Sequence, residues 1–175
     1  PHVGQKGKKG LLLPQSHKPF TAGECEKCHT GTSGTDLVAE GKELCAQCHE
    51  KVSTMMVKPV IHPALEGSRG CVACHGPHVG FGKGLQKKDG VQQCLSCHND
   101  TEFTGAVRHE PAFDDCTTCH DPHSSGYKKL LSTPDIMELC LTCHEDATKT
   151  HFHRMGQGVI DPRTKTDLVC TGCHS

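Results

Sequence analysis

Cys116-Thr117-Thr118-Cys119-His120-Asp121-Pro122-His123 is the stretch on which the reading of this 175-residue chain turns. Its first five residues form a Cys-x-x-Cys-His unit. Six more occur, at Cys25, Cys28 and His29; Cys45, Cys48 and His49; Cys71, Cys74 and His75; Cys94, Cys97 and His98; Cys140, Cys143 and His144; and Cys170, Cys173 and His174. The seven units use all 14 cysteines. Cysteine at this abundance ordinarily signals a disulfide scaffold or structural zinc. A disulfide scaffold has no reason to put His after every second Cys, and seven chance placements have a probability of roughly one in a billion. Zinc would take its four ligands from two units, and seven is odd; a redox Cys-x-x-Cys would occur once, beside a βαβ pattern. Thioether attachment of haem remains: each Cys sulfur adds to one vinyl group, and the His supplies the proximal nitrogen to iron. Residues i, i+3 and i+4 share one face of a helical turn, so one turn presents all three groups to one porphyrin. The expectation is seven covalently bound c-type haems with bis-His iron.

Composition agrees that something other than aliphatic side chains fills the interior. Leu, Ile, Val and Phe make only 32 of the 175 residues, well below an ordinary globular domain. Disorder on that scale normally comes with a large net charge, and here the formal charge is −1. Two propionates and one net iron charge per oxidised haem would bring the holoprotein to roughly −8, a field that steers partner encounter. Lys6, Lys8, Lys9, Lys87 and Lys88 read as solvated charges that offset propionates. No stretch approaches the length of a membrane span, and nothing suggests nucleic-acid binding. The start at Pro1, with no initiator Met or signal peptide, reads as a mature or trimmed form.

The motifs group in pairs, with first cysteines at 25 and 45, 71 and 94, 116 and 140, and an unpaired half unit at 170. The pairs recur every 45 or 46 residues, which predicts an elongated array in which each unit contacts its neighbours. The repeat units run over about 17–49, 62–98 and 109–144, with the half unit at 151–174, in a single domain spanning 1–175. Eight His lie outside the motifs, and seven irons need a sixth ligand. His17, His62 and His109 precede the first motif of each pair at similar distances. His78 and His123 follow the first motifs of the second and third pairs, too close to their own proximal His to reach the other face of that haem. Each is therefore expected to bind a neighbouring iron. The first pair lacks the equivalent His, and His2 is its natural replacement. One of His151 and His153 serves the half unit, leaving the other spare. Met55, Met56, Met137 and Met155 do not recur in register and read as flexible gap-fillers around haem edges.

These features resemble the multihaem cytochromes built from doubled Cys-x-x-Cys-His repeats. The likeness rests on His17-x-Pro-Phe-x-x-Gly before Cys25, the Cys-His-x-Pro-His runs, the Leu-Cys-x-x-Cys-His endings at Leu44 and Leu139, and Leu130-Leu131. That group includes a pentahaem donor to periplasmic nitrite reductase and a decahaem protein of outer-membrane conduits. Filament-forming extracellular cytochromes are more distant relatives. The resemblance covers roughly 17–174 and implies short helices, long irregular connections and a close-packed haem chain.

The fold expected is mostly irregular with short α-helices, haem-cored, with longer helices at 37–51 and 134–145 and no strand pattern. Ile136, Leu139 and Cys140 suggest one buried helical face. Bis-His iron has no open position, so the expected function is electron transfer between redox proteins and not catalysis. An open-site reductase is the enzymatic alternative. A subunit of an extracellular filament, self-associating through terminal haems, is the structural one. Haem attachment to this motif occurs outside the cytoplasm, which leaves periplasm, cell surface and extracellular space.

Overall fold

The computed structural model describes residues 14–31, 34–98, 109–150 and 152–174. Its regular unit is the motif turn. In all seven motifs the His N–H donates to the carbonyl of the first Cys, at 2.9 Å for His29 and His174 and 3.0 Å for the other five. Four motifs sit on 3-10 turns at Cys25–Lys27, Gly70–Ala73, Cys116–Thr118 and Cys170–Gly172. The helices, in chain order, are α1 (Lys18–Ala22), α2 (Gly41–Ala46), α3 (Lys51–Thr54), α4 (Pro63–Glu66), α5 (Gln92–Leu95), α6 (Pro111–Asp114), α7 (Ile136–Leu141) and α8 (Ala147–Thr150). The second motif of each pair hangs from the end of a helix, since Cys45, Cys94 and Cys140 lie in α2, α5 and α7. Pro in the first turn starts α1, α4 and α6 just after His17, His62 and His109, where its missing N–H costs nothing.

The fold is mostly irregular with short helices, but two helices are shorter than the sequence suggested. Over 37–51 the helix begins only at Gly41, whose φ of 53° breaks the chain from residues 37–40, and α2 is 6 residues long. Over 134–145 it begins after Asp135, which is extended and caps the Met137 N–H through its carboxylate at 2.7 Å. Of the predicted apolar face, Ile136, Leu139 and Cys140 are half-buried, and Met137 is the buried residue at 8 % exposure. Its sulfur packs on the last motif, 3.2 Å from Cys170 Sγ.

Strands were not expected, and among the described residues six short ones form. β1 (Gln15–Ser16) pairs antiparallel with β3 (Val79–Gly80), and β2 (Val60–Ile61) with β4 (Ser124–Ser125). β5 (Gly156–Ile160) pairs with β6 (Asp167–Leu168). The first four strands are two residues long, too short to show any alternation along the sequence. Their significance lies in what they join. Each ladder ties the segment before one unit's first His to the segment after the next unit's Cys-His-x-Pro-His. His17 N–H extends the first ladder to His78 O at 2.8 Å, and His62 N–H extends the second to His123 O at 2.9 Å. Gly80 needs to be glycine here, because a Cβ would overlap the Leu85 backbone.

Buried polar groups reinforce the second junction. Ser124 is fully buried with its hydroxyl on Met55 O, and Ser125 donates to Leu131 O. Lys58 Nζ lies 3.0 Å from Asp121. The last motif is held by the β5–β6 hairpin: Asp161, 3 % exposed, is gripped by Arg163, which also donates to Gly172 O.

Among the described residues only Val79 and Met137 are buried hydrophobic side chains. Met137→Ala is expected to cost about 2–5 kcal/mol, towards the lower end because the surroundings are sparse. A denaturant titration followed by haem absorbance would read the loss.

Candidate haem sites

The motif turns deliver both cysteines and the His of each unit from one backbone turn, as attachment to a single porphyrin requires. No two of the 14 cysteines are joined in a disulfide. Burial pushes the Cys94 thiol up to about 11, and the neighbouring Cys116 adds to the shift. Burial likewise raises Cys45, with Cys71 beside it, and Cys140, with Cys170 beside it. Surroundings that penalise thiolates suit thioethers, which carry no charge.

The imidazoles supply a second test. Among the described residues five pairs of His rings face each other, and each pair joins one motif His to one non-motif His. His17 lies opposite His49 with ring centroids 5.9 Å apart, and His29 opposite His78 at 6.0 Å. His62 faces His98 at 6.0 Å, His75 faces His123 at 6.1 Å, and His109 faces His144 at 6.4 Å. Rings in simple contact sit closer, as Phe20 and His78 do at 4.8 Å. Two imidazole–metal bonds of about 2 Å each, plus the two ring radii, bring centroids to about 6 Å. The spacing fits one iron between each pair.

Tautomer and charge agree with that fit. His75 Nδ1 lies 2.5 Å from Gly84 O and His120 Nδ1 2.8 Å from Lys129 O. A carbonyl only accepts, so Nδ1 carries the proton and Nε2 is free to bind metal. Burial lowers the pKa of His62, helped by His98 and His123. Burial also lowers that of His123, with His75 adding and Asp121 opposing. Both shifts favour the neutral, ligating imidazole. Asp121 positions His123 by accepting its backbone N–H at 3.0 Å. Although burial opposes its ionisation, the N–H of His123, Lys58 and the N–H of Ser124 hold its carboxyl below the usual range.

Two pairing rules emerge. Within a unit, the leading His faces the second motif, as His17 does His49, His62 does His98 and His109 does His144. Between units, His78 faces His29 of the unit before it, and His123 faces His75. At the first pair it is His78 that lies beside the motif's own His29, and His2 is the sequence's candidate for the post-motif His missing there. His2 and His151 lie outside the described residues, and His153 and His174 are engaged in interactions of their own. Sequence reading missed the carbonyls of Gly84 and Lys129. The available signal was the equal nine-residue spacing from His75 and His120, each acceptor followed by a Leu.

Motif turns built for thioethers, with imidazoles set opposite one another at metal-spanning distance, define a multihaem c-type cytochrome. Residues 17–54, 62–103 and 109–149 each match the doubled CXXCH motif family, well over half of the chain. The chain belongs to that family. It is 30% identical over 163 residues to the multiheme cytochrome MtrA of Shewanella baltica (strain OS185), covering 78% of this chain and 46% of the relative. It is also 30% identical over 127 residues to the multiheme cytochrome MtrC of the same strain, covering 59% of this chain and 19% of the relative. The chain thus spans less than half the length of either. Among the described residues, no helix is long and apolar enough to cross a membrane.

Proposed function

We propose that this chain is an exported electron carrier holding seven haems in sequence order, each iron between two imidazoles, and that it is not an enzyme. The observation that carries the reading is the set of five facing His pairs, each made of one motif His and one outside the motifs. When bound, each haem supplies a one-electron iron couple and a conjugated ring through which charge enters and leaves. The polypeptide's part is spacing and capping. Cys45 adjoins Cys71, Cys94 adjoins Cys116, and Cys140 adjoins Cys170, so attachment points of consecutive units meet. Within units, Cys28 lies within electrostatic reach of Cys45, Cys74 of Cys94, and Cys119 of Cys143. Successive motifs therefore adjoin along the chain, which favours stepwise transfer from one end to the other. The second imidazole closes each iron to substrates, which separates this reading from an open-site reductase. Its partners are redox proteins that give and take electrons at exposed haem edges, in the periplasm or at the cell surface.

Ring orientation gives a test specific to this reading. His62 and His98 are nearly perpendicular at 88°, while His75 and His123 are nearly parallel at 10°. Perpendicular imidazoles leave the iron π orbitals nearly degenerate and give a low-spin paramagnetic resonance signal of large anisotropy; parallel ones give an ordinary rhombic signal. The oxidised protein is expected to show a highly anisotropic component that His62→Ala abolishes, a high-spin signal replacing it. Persistence of that component in the variant would remove His62 from the ligand set. A high-spin haem in the wild-type protein would favour the enzyme.

A further inference from the structure

We infer that the three described first-motif sites are electronically graded: the haem at Cys25 and Cys28 has a higher reduction potential than those at Cys71 and Cys74 and at Cys116 and Cys119. This rests on the bis-His reading above. The cause is the proximal imidazole. His75 and His120 each give their Nδ1 proton to a carbonyl, that of Gly84 at 2.5 Å and that of Lys129 at 2.8 Å. His29 Nδ1 is buried and has no hydrogen-bond partner among the described residues. A donated Nδ1 proton pushes electron density into the ring, makes Nε2 a stronger donor and stabilises the oxidised iron. Without it, the reduced form at the first site is favoured.

The difference is built into the backbone. After Cys74 and Cys119 the chain loops out and returns to pair thirteen positions on, Lys87 N–H with Cys74 O at 2.8 Å and Ser132 N–H with Cys119 O at 2.9 Å. After Cys28 it returns in ten, Val38 N–H meeting Cys28 O at 3.0 Å. The two long loops carry non-glycine residues in the left-handed region, Leu85 in one and Lys129 and Leu130 in the other. That conformation is disfavoured for any side chain with a Cβ, yet both loops keep it where the acceptor carbonyl is presented. The shorter loop dispenses with the Pro-His step and with the acceptor together. It thus carries neither a post-motif His nor an acceptor, among the described residues, for its own proximal imidazole.

Resonance Raman of the reduced His78→Ala and His123→Ala proteins tests this, since each variant leaves one five-coordinate iron held by His29 or His75 alone. The iron–histidine stretch is expected at lower frequency in His78→Ala than in His123→Ala; an equal or higher frequency would overturn the inference. Should either protein fail to fold, His78→Met and His123→Met keep six ligands and mark the same haems by their Met-ligated absorption. The marked haem should then titrate at higher potential in His78→Met, and coincidence or the reverse order would overturn the inference. A peptide bearing Cys25 and Cys28 at its bare mass would instead defeat the bis-His reading itself.

Discussion

With every motif cysteine replaced by alanine, the chain is expected to lose cooperative folding altogether. The polypeptide exposes 13060 Å², against about 8,300 Å² for a compact chain of its mass. Its described buried hydrophobic side chains number two, Val79 and Met137. A native domain is stable by only about 5–15 kcal/mol after far larger entropic costs are met, and such a core cannot meet them. The two-residue ladders and the one-turn helices are likewise too short to stand alone. Folding should therefore depend on the covalently bound groups, as it does in small metal-dependent domains. The cysteine-free chain should show collapsed amide dispersion in its proton spectrum and no thermal transition. A sharp transition in that variant would mean the polypeptide carries its own core.

The second large effect is expected at one residue. His123 faces His75 of the preceding unit, and its backbone carbonyl receives the His62 N–H beside the β2–β4 ladder. His123→Ala leaves that ladder intact and removes one imidazole from between the second and third units. On the proposed bis-His reading, one iron should become high-spin, and the reduced variant should bind about one carbon monoxide per chain where the wild-type protein binds none. The six other haems should keep their low-spin spectra. A variant that binds no carbon monoxide would show that His123 caps nothing. Asp121→Asn should give a milder version, because Asp121 orients His123 through its N–H and anchors Lys58 without touching the ring partner.

What the sequence disclosed follows from where the chemistry is written. Seven Cys-x-x-Cys-His units state their own turn geometry, and the i to i+4 bond closes at every one. His17, His62 and His109 were legible because each sits before a helix started by proline in register with the repeat. His78 and His123, expected to serve neighbouring haems, each face a motif His of the preceding unit. Their partners, however, are fixed by the β1–β3 and β2–β4 ladders, and two-residue strands leave no periodicity to read. His2, the candidate for the post-motif His missing from the first pair, lies outside the described residues. The buried Nδ1 of His29, without an acceptor among the described residues, depends on loop length in three dimensions. Met137, read as a flexible gap-filler around haem edges, sets its sulfur against the Cys170 turn. Helix length over 37–51 was overestimated because apolar content says nothing of the positive φ at Gly41.

Intact-mass spectrometry of the protein made in cells competent for haem attachment probes the central claim most directly. Seven porphyrins tethered through 14 thioethers should add seven haem masses to the polypeptide mass. A smaller increment, or the mass of the bare chain, would contradict the account.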